Sequence, residues 1–155
     1  DGYALAGGFE LMLACDLCVA NKDAKFGIPE AKRGLAAAAG GLVRLPRLIA
    51  PRVAMELALT GDFVSAQRAY EIGLVNRLTD GVALDAALEL AAAITANGPL
   101  AVARSKQIIV ESREWSDADM WKKQQETLGN LFMSEDAREG ATAFAEKRKP
   151  NWKGK

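Results

Sequence analysis

Histidine is absent from this sequence, so Ser-His-Asp and Cys-His nucleophile systems and imidazole proton shuttles are excluded together. Proton transfer near neutral pH then falls to carboxylates, lysines, tyrosines or cysteines. A carboxylate serves this purpose when burial or a neighbouring charge changes its hold on a proton. Two glutamates stand out from an ordinary solvated face. Glu10 is the only ionisable residue between Tyr3 and Cys15, lies among Phe9, Leu11, Met12 and Leu13, and follows Gly7-Gly8. At a helix start the free backbone N–H groups and the helix dipole favour negative charge, and such N–H groups also receive a developing oxyanion. Glu30 follows Phe26-Gly27-Ile28-Pro29, just past a strand-like run that Pro29 keeps from continuing. Each has a plainer reading. Glu10 could stabilise a helix N-terminus from the surface, and Glu30-Ala31-Lys32-Arg33 could be an exposed helical turn with a local ion pair.

Cys15 and Cys18 form a C-x-x-C spacing. A zinc site would need two further ligands, and there is neither a second cysteine pair nor a histidine. We expect no metal, and read the cysteines as small apolar residues.

The elements that must position these groups can be read from caps and periodicity. The opening from Asp1 to Gly8 reads as a strand end running into a Gly-rich turn, followed by a short helix from about Phe9 to Ala14. Leu17 to Ala20 and Ala24 to Gly27 read as buried strands separated by the turn Asn21-Lys22-Asp23. Gly40-Gly41 opens a helix through Leu48, Pro51 starts one to Thr60, and Ser65 caps one that Gly73 stops. Leu74 to Leu78 reads as one more strand. After Asp80 the pattern is helical: Ala83 to Ala96, Pro99 to Ser112, Ser116 to about Phe132, and Ser134 to Lys147. The organisation expected is a mixed α/β part over residues 1–80 and a helical part over 81–155.

Of the 155 residues half are apolar, enough for a sizeable core, and the formal net charge is zero. No overall field gathers nucleic acid or an anionic membrane. The basic tail Lys147-Arg148-Lys149 with Lys153 and Lys155 is a poor nucleic-acid footprint and reads as a solvated terminus. No apolar run approaches the ~20 residues that span a bilayer, and no signal-like segment opens the chain. The expectation is a cytoplasmic protein with no nucleic-acid or membrane partner. Because Asp1 already reads as mid-domain, we also expect a fragment.

Taken in order, Gly2-Tyr3-Ala4-Leu5-Ala6-Gly7-Gly8-Phe9-Glu10-Leu11, Cys15-Asp16, Ala24-Lys25-Phe26-Gly27-Ile28-Pro29-Glu30, Gly34 and Gly40-Gly41-Leu42-Val43-Arg44-Leu45 resemble the enoyl-CoA hydratase/isomerase (crotonase) family. The resemblance continues through Met55 to Gly61, Ala69 to Asn76 and Glu139 to Arg148, and so covers essentially the whole chain. It implies an α/β fold, a spiral of ββα units of which the N-terminal part is missing, followed by a helical C-terminal region that builds homotrimers, commonly paired into hexamers.

The resemblance also implies a substrate, an acyl-CoA thioester, with coenzyme A entering as part of that substrate and no separate cofactor. Glu10 and Glu30 match the two glutamates that hold one water in the family's hydratases. Two neighbouring carboxyls do not both ionise cheaply, so one can donate a proton while the other accepts one. Gly7 matches one of the two oxyanion donors; the other, with the main grip on coenzyme A, would lie upstream of Asp1. Ala6, Gly8, Pro29 and Ala38 match positions that line the substrate, and Phe144 and Lys147 match positions that contact the nucleotide of coenzyme A. The activity implied is hydration of an enoyl-CoA, or the reverse dehydration.

One departure stands out. Ala38 replaces a glycine that lies close to the reacting water in the hydratases, and its methyl group would narrow the pocket. Dehydration of carnitinyl-CoA is therefore the next reading, since the stretch from Glu135 to Gly154 is close to that subgroup's ending. Isomerases usually lack the acid at the position of Glu10. A non-catalytic acyl-CoA-binding member would be expected to have lost Glu10 or Glu30, and both are present, while an RNA-binding member would rest on the basic tail, a poor footprint at zero net charge.

Overall fold

The computed structural model describes all 155 residues, which divide into two compact units, Asp1–Glu89 and Leu90–Lys155. No single helix is long and apolar enough to cross a membrane.

The first unit begins with strand β1 (Tyr3–Leu5), helix α1 (Gly7–Met12) and strands β2 (Val19–Asn21) and β3 (Lys25–Gly27). A 3-10 helix over Pro29–Arg33 leads through an irregular segment to α2 (Gly41–Leu48) and α3 (Pro51–Thr60). Strand β4 (Val64–Ser65), α4 (Ala66–Glu71), β5 (Arg77–Thr79) and the start of α5 (Ala83–Thr95) complete it. β1 pairs in parallel with β3, which pairs antiparallel with β4; β2 and β5 form a separate parallel pair. The core joins Phe9 and Leu13 of the α1 segment to Phe26, Ile28, Leu45, Ile49 and Leu57, together with Ala54 of α3 and Ala66 and Ala69 of α4. The Phe9 and Phe26 rings, 6.4 Å apart and tilted by 53°, fix α1 on the sheet.

Several elements begin elsewhere than expected, for local reasons. α1 starts at Gly7 rather than Phe9, because Ala6 O already accepts the N–H of Glu10 at 2.9 Å. The Leu17–Ala20 strand moves to Val19–Asn21 because the side chain of Asn76 takes the N–H of Cys18 at 2.8 Å. Leu74 and Val75 are buried but not in a strand. Their N–H groups close the end of α4 on Ala69 O, at 2.8 and 3.2 Å, and pairing begins only at Arg77. The two-residue β4 has no counterpart among the expected elements.

In the second unit α6 spans Pro99–Glu111, α7 Met120–Leu128 and α8 Glu135–Ala145. The long helix expected from Ser116 starts late and stops early. The Ser116 hydroxyl binds its own turn, bonding Asp119 Oδ2 at 2.7 Å and accepting the Asp119 N–H at 3.2 Å. At the other end Gly129 turns to a φ of 50° and a 3-10 turn over Leu131–Met133 follows. α8 is capped by Ser134, whose hydroxyl accepts the Ala137 N–H at 3.0 Å.

Candidate functional site

The site is built at the ends of two adjacent parallel strands. In β1 and β3, Leu5 lies opposite Gly27, and the Ala6 N–H donates to Gly27 O at 3.0 Å. Both strands end here, and each continues into a helical turn that bears a carboxylate: α1 carries Glu10 and the 3-10 helix carries Glu30. The crevice beyond the carboxyl ends of parallel strands is where ligands settle in open α/β sheets.

Ala6, between β1 and α1, has φ 50° and ψ −126°, a conformation that L-residues other than glycine seldom adopt. It is held there by its bonds to Gly27 O and from the Glu10 N–H, as expected of strain sustained by its surroundings. Gly7 then becomes the first residue of α1, and a first-turn N–H has no partner within its helix. Gly7 and Gly8 are exposed, and a Cβ added to either would meet nothing within 4 Å. The space above this turn is open.

Glu10 is 5% exposed, so it is not a surface charge. Its Oε1 accepts the N–H groups of Ala39 and Gly41, both at 2.8 Å. These backbone donors are site components that sequence reading did not single out. The pair Gly40-Gly41 signalled a helix start but not its partner. Gly41 must lack a side chain, since a Cβ there would stand 2.9 Å from Glu10 Cγ and from Ile28 Cδ1.

Glu30 is half-buried, and its Oε2 is fully enclosed without a hydrogen-bond partner. A buried carboxylate oxygen without a donor is costly, and such an atom is a place for water or a substrate group. The local ion pair offered as the plainer reading does not form with Lys32, which bonds Asp62 Oδ1 at 2.5 Å instead. Pro29 is buried and packs beside Gly61, where a Cβ would come within 3.2 Å of Pro29 Cα. Ala38 is exposed, one residue before the Ala39 N–H that holds Glu10.

Phe144 and Lys147 belong to the second unit. Phe144, on α8, is 88% exposed. Lys147 lies just past the helix with φ 54°, and its N–H donates to Phe144 O at 3.2 Å. Both side chains are therefore on the surface. Cys15 and Cys18 are free thiols. Burial, with a smaller contribution from Cys15, pushes the Cys18 thiol up. This is the opposite of what an activated thiol requires. No group of three or more carboxylates and cysteines is placed to hold a metal ion.

Comparison with known proteins places this geometry in a family. The sequence model of Enoyl-CoA hydratase/isomerase matches residues 1–155. Among solved structures the chain is similar to the enoyl-CoA hydratase from Mycobacterium tuberculosis H37Rv, with 60% identity and a TM-score of 0.97 over all of this chain and 62% of that one. It is also similar to the enoyl-CoA hydratase from Bacillus anthracis, with 38% identity and a TM-score of 0.95 over 99% of this chain and 60% of that one. Among curated proteins it is 41% identical over 160 residues to the carnitinyl-CoA dehydratase of Proteus mirabilis (strain HI4320). All of the chain aligns there, and it spans 61% of that relative's length.

Proposed function

The chain belongs to the enoyl-CoA hydratase/isomerase family, and from that premise we propose that it supplies the paired carboxylates of a hydro-lyase acting on an enoyl-CoA thioester. The reaction is addition of water across the 2,3 double bond, or its reverse. The crotonase-type α/β fold and the family expected from the sequence are borne out. The activity, the site roles and the partners are our reading.

The observation that carries it is the placement of Glu10 and Glu30. They follow the ends of neighbouring parallel strands, one held by two backbone N–H groups and the other presenting an enclosed, unpartnered oxygen. Two N–H groups at Glu10 Oε1 use the lone pairs of that oxygen, so proton traffic at Glu10 runs through Oε2. In this reading the two carboxyls hold one water between them. As its oxygen bonds the β-carbon, one carboxylate takes its proton while the other carboxyl group gives a proton to the α-carbon. Negative charge that gathers on the thioester oxygen meets the Gly7 N–H and a second donor. Loss of one such donor would cost about 3 kcal/mol in the barrier.

The open space at Gly7 and Gly8 supports approach of the thioester there, and in this reading Ala6, Gly8, Pro29 and Ala38 line the substrate. Coenzyme A enters as part of the substrate, with its nucleotide contacting Phe144 and Lys147. Exposed Trp121, Phe132 and Met133 support a role in assembly for the helical region 81–155, as a homotrimer or paired trimers. Dehydration of carnitinyl-CoA is the second reading. It is favoured by Ala38 beside the Glu10 donors and by the similarity to the Proteus dehydratase.

The test uses the complete gene product that contains this chain and follows loss of the enoyl-thioester absorbance with crotonyl-CoA. Glu10→Gln and Glu30→Gln should each lower turnover by about 10²–10⁴-fold. An active parent whose rate survives either substitution would exclude the paired-glutamate mechanism. A parent inactive on crotonyl-CoA but active on carnitinyl-CoA would establish the second reading.

A further inference from the structure

Glu10 is held by the peptides around Gly40, and these peptides are themselves held. The Ala39 N–H and the Gly41 N–H both end on Glu10 Oε1. Between them lies the peptide that joins Ala39 to Gly40, and its carbonyl oxygen, Ala39 O, accepts from Arg44 Nη1 at 2.9 Å. Of three successive peptides, then, the outer two grip the carboxylate and the middle one is gripped by a guanidinium.

Arg44 sits on the first turn of α2, its own N–H bonded to Gly40 O at 2.9 Å. Gly40 has φ 100°, a value suited to glycine. A Cβ there would also overlap the Arg44 guanidinium, with Cζ 2.9 Å away. The guanidinium therefore occupies the place that the missing side chain leaves. Arg44 is exposed and its long side chain loses rotamer freedom to stay folded back on the loop. That cost suits a side chain whose task is to fix the loop.

We propose that Arg44 is a positioning residue for Glu10, fixing the 39–41 loop so that its two N–H groups converge on Oε1 and keep the carboxyl aimed at the reacting water. This rests on the reading of Glu10 as an acid/base group. Arg44 acts through the Ala39 carbonyl, which its guanidinium holds.

The test uses the complete gene product, with Arg44→Met, Arg44→Lys, Glu10→Gln and the Arg44→Met/Glu10→Gln double variant. Arg44→Met should lower kcat about tenfold, since a misplaced catalytic group costs rate. KM should stay within about twofold, and Arg44→Lys, which keeps one donor, should recover part of the loss. In the Glu10→Gln background Arg44→Met should add no further loss, as expected of two residues that act as one unit. An unchanged kcat in Arg44→Met, or the same loss in both backgrounds, would overturn the proposal.

A second readout does not depend on turnover. The amide protons of Ala39 and Gly41 should shift in Arg44→Met in the direction that Glu10→Ala moves them. If they stay in place, Arg44 does not hold the loop. A parent inactive on every acyl-CoA would sink the functional reading, while these amide shifts would still decide the role of Arg44 in placing Glu10.

Discussion

Gly41 donates its N–H to Glu10 Oε1 at 2.8 Å and lies so close to that side chain that a Cβ would come within 2.9 Å of Glu10 Cγ. The bond and the close approach go together at this position: Ala39 reaches the same oxygen with a side chain in place, whereas a side chain on residue 41 would stand against Glu10 itself. Gly41→Ala is expected to force Glu10 or Ile28 to move, costing about 1–3 kcal/mol as overpacked cores do. Equilibrium denaturation measures this. A stability within a few tenths of the parent's, with turnover retained, would mean that α2 shifts freely and that this contact does not set the position of Glu10.

The strained turn at Ala6 yields a second expectation. A residue at φ 50° and ψ −126° should accept glycine readily and a β-branched side chain poorly. Ala6→Gly is expected to hold or raise the denaturation midpoint, because relief of strain offsets the added freedom of the unfolded chain. Ala6→Val is expected to lower stability by about 2 kcal/mol. Should valine prove neutral, the turn would have relaxed to a different conformation, and the Gly7 N–H would no longer be set by it.

Much of this site was legible in the sequence because its signals are local. Glu10 within an apolar run after two glycines, and Glu30 behind a proline that ends a strand, each announce themselves within a few residues. Gly40-Gly41, Pro51 and Ser65 mark helix starts that the structure retains. What could not be read depends on contacts between distant residues. Nothing near Ala39 says that its N–H reaches a carboxylate 29 positions earlier. Leu74 and Val75 have strand composition but are drawn into the end of α4 by Ala69 O. The late start of α7 was missed for another reason: Ser116 and Asp119 have capping-box spacing, yet they bond each other and close a turn ahead of the helix.

The two cysteines should behave differently toward thiol reagents. Cys15 is exposed, whereas Cys18 is partly buried and its thiol is pushed up by that burial. At neutral pH the thiolate fraction of Cys18 is correspondingly small. Iodoacetamide is therefore expected to label Cys15 first, with Cys18 lagging until the pH is raised or the chain unfolds. Peptide mapping at successive times reads the order. Equal rates, or a rapid disulfide between the two, would point to a reactive thiol pair.

Glu139 supplies the pH dependence. Its carboxylate accepts from both Arg148 Nη atoms, at 2.6 and 2.9 Å, and from the Asn151 N–H at 2.7 Å, tying the tail to α8. The Arg148 bonds, then the Asn151 N–H, hold its carboxyl down at about 2, against an ordinary value of 4.5. A carboxyl with a lowered folded-state value binds its proton more readily when unfolded. Its contribution is therefore fully present above about 4.5 and is lost as the pH falls toward about 2. Across that window the parent should lose stability more steeply than Glu139→Gln, and above it the difference between the two should be constant. Denaturation midpoints measured from pH 6 downward test this. Parallel curves for parent and variant would show that the Glu139–Arg148 contact does not persist in solution.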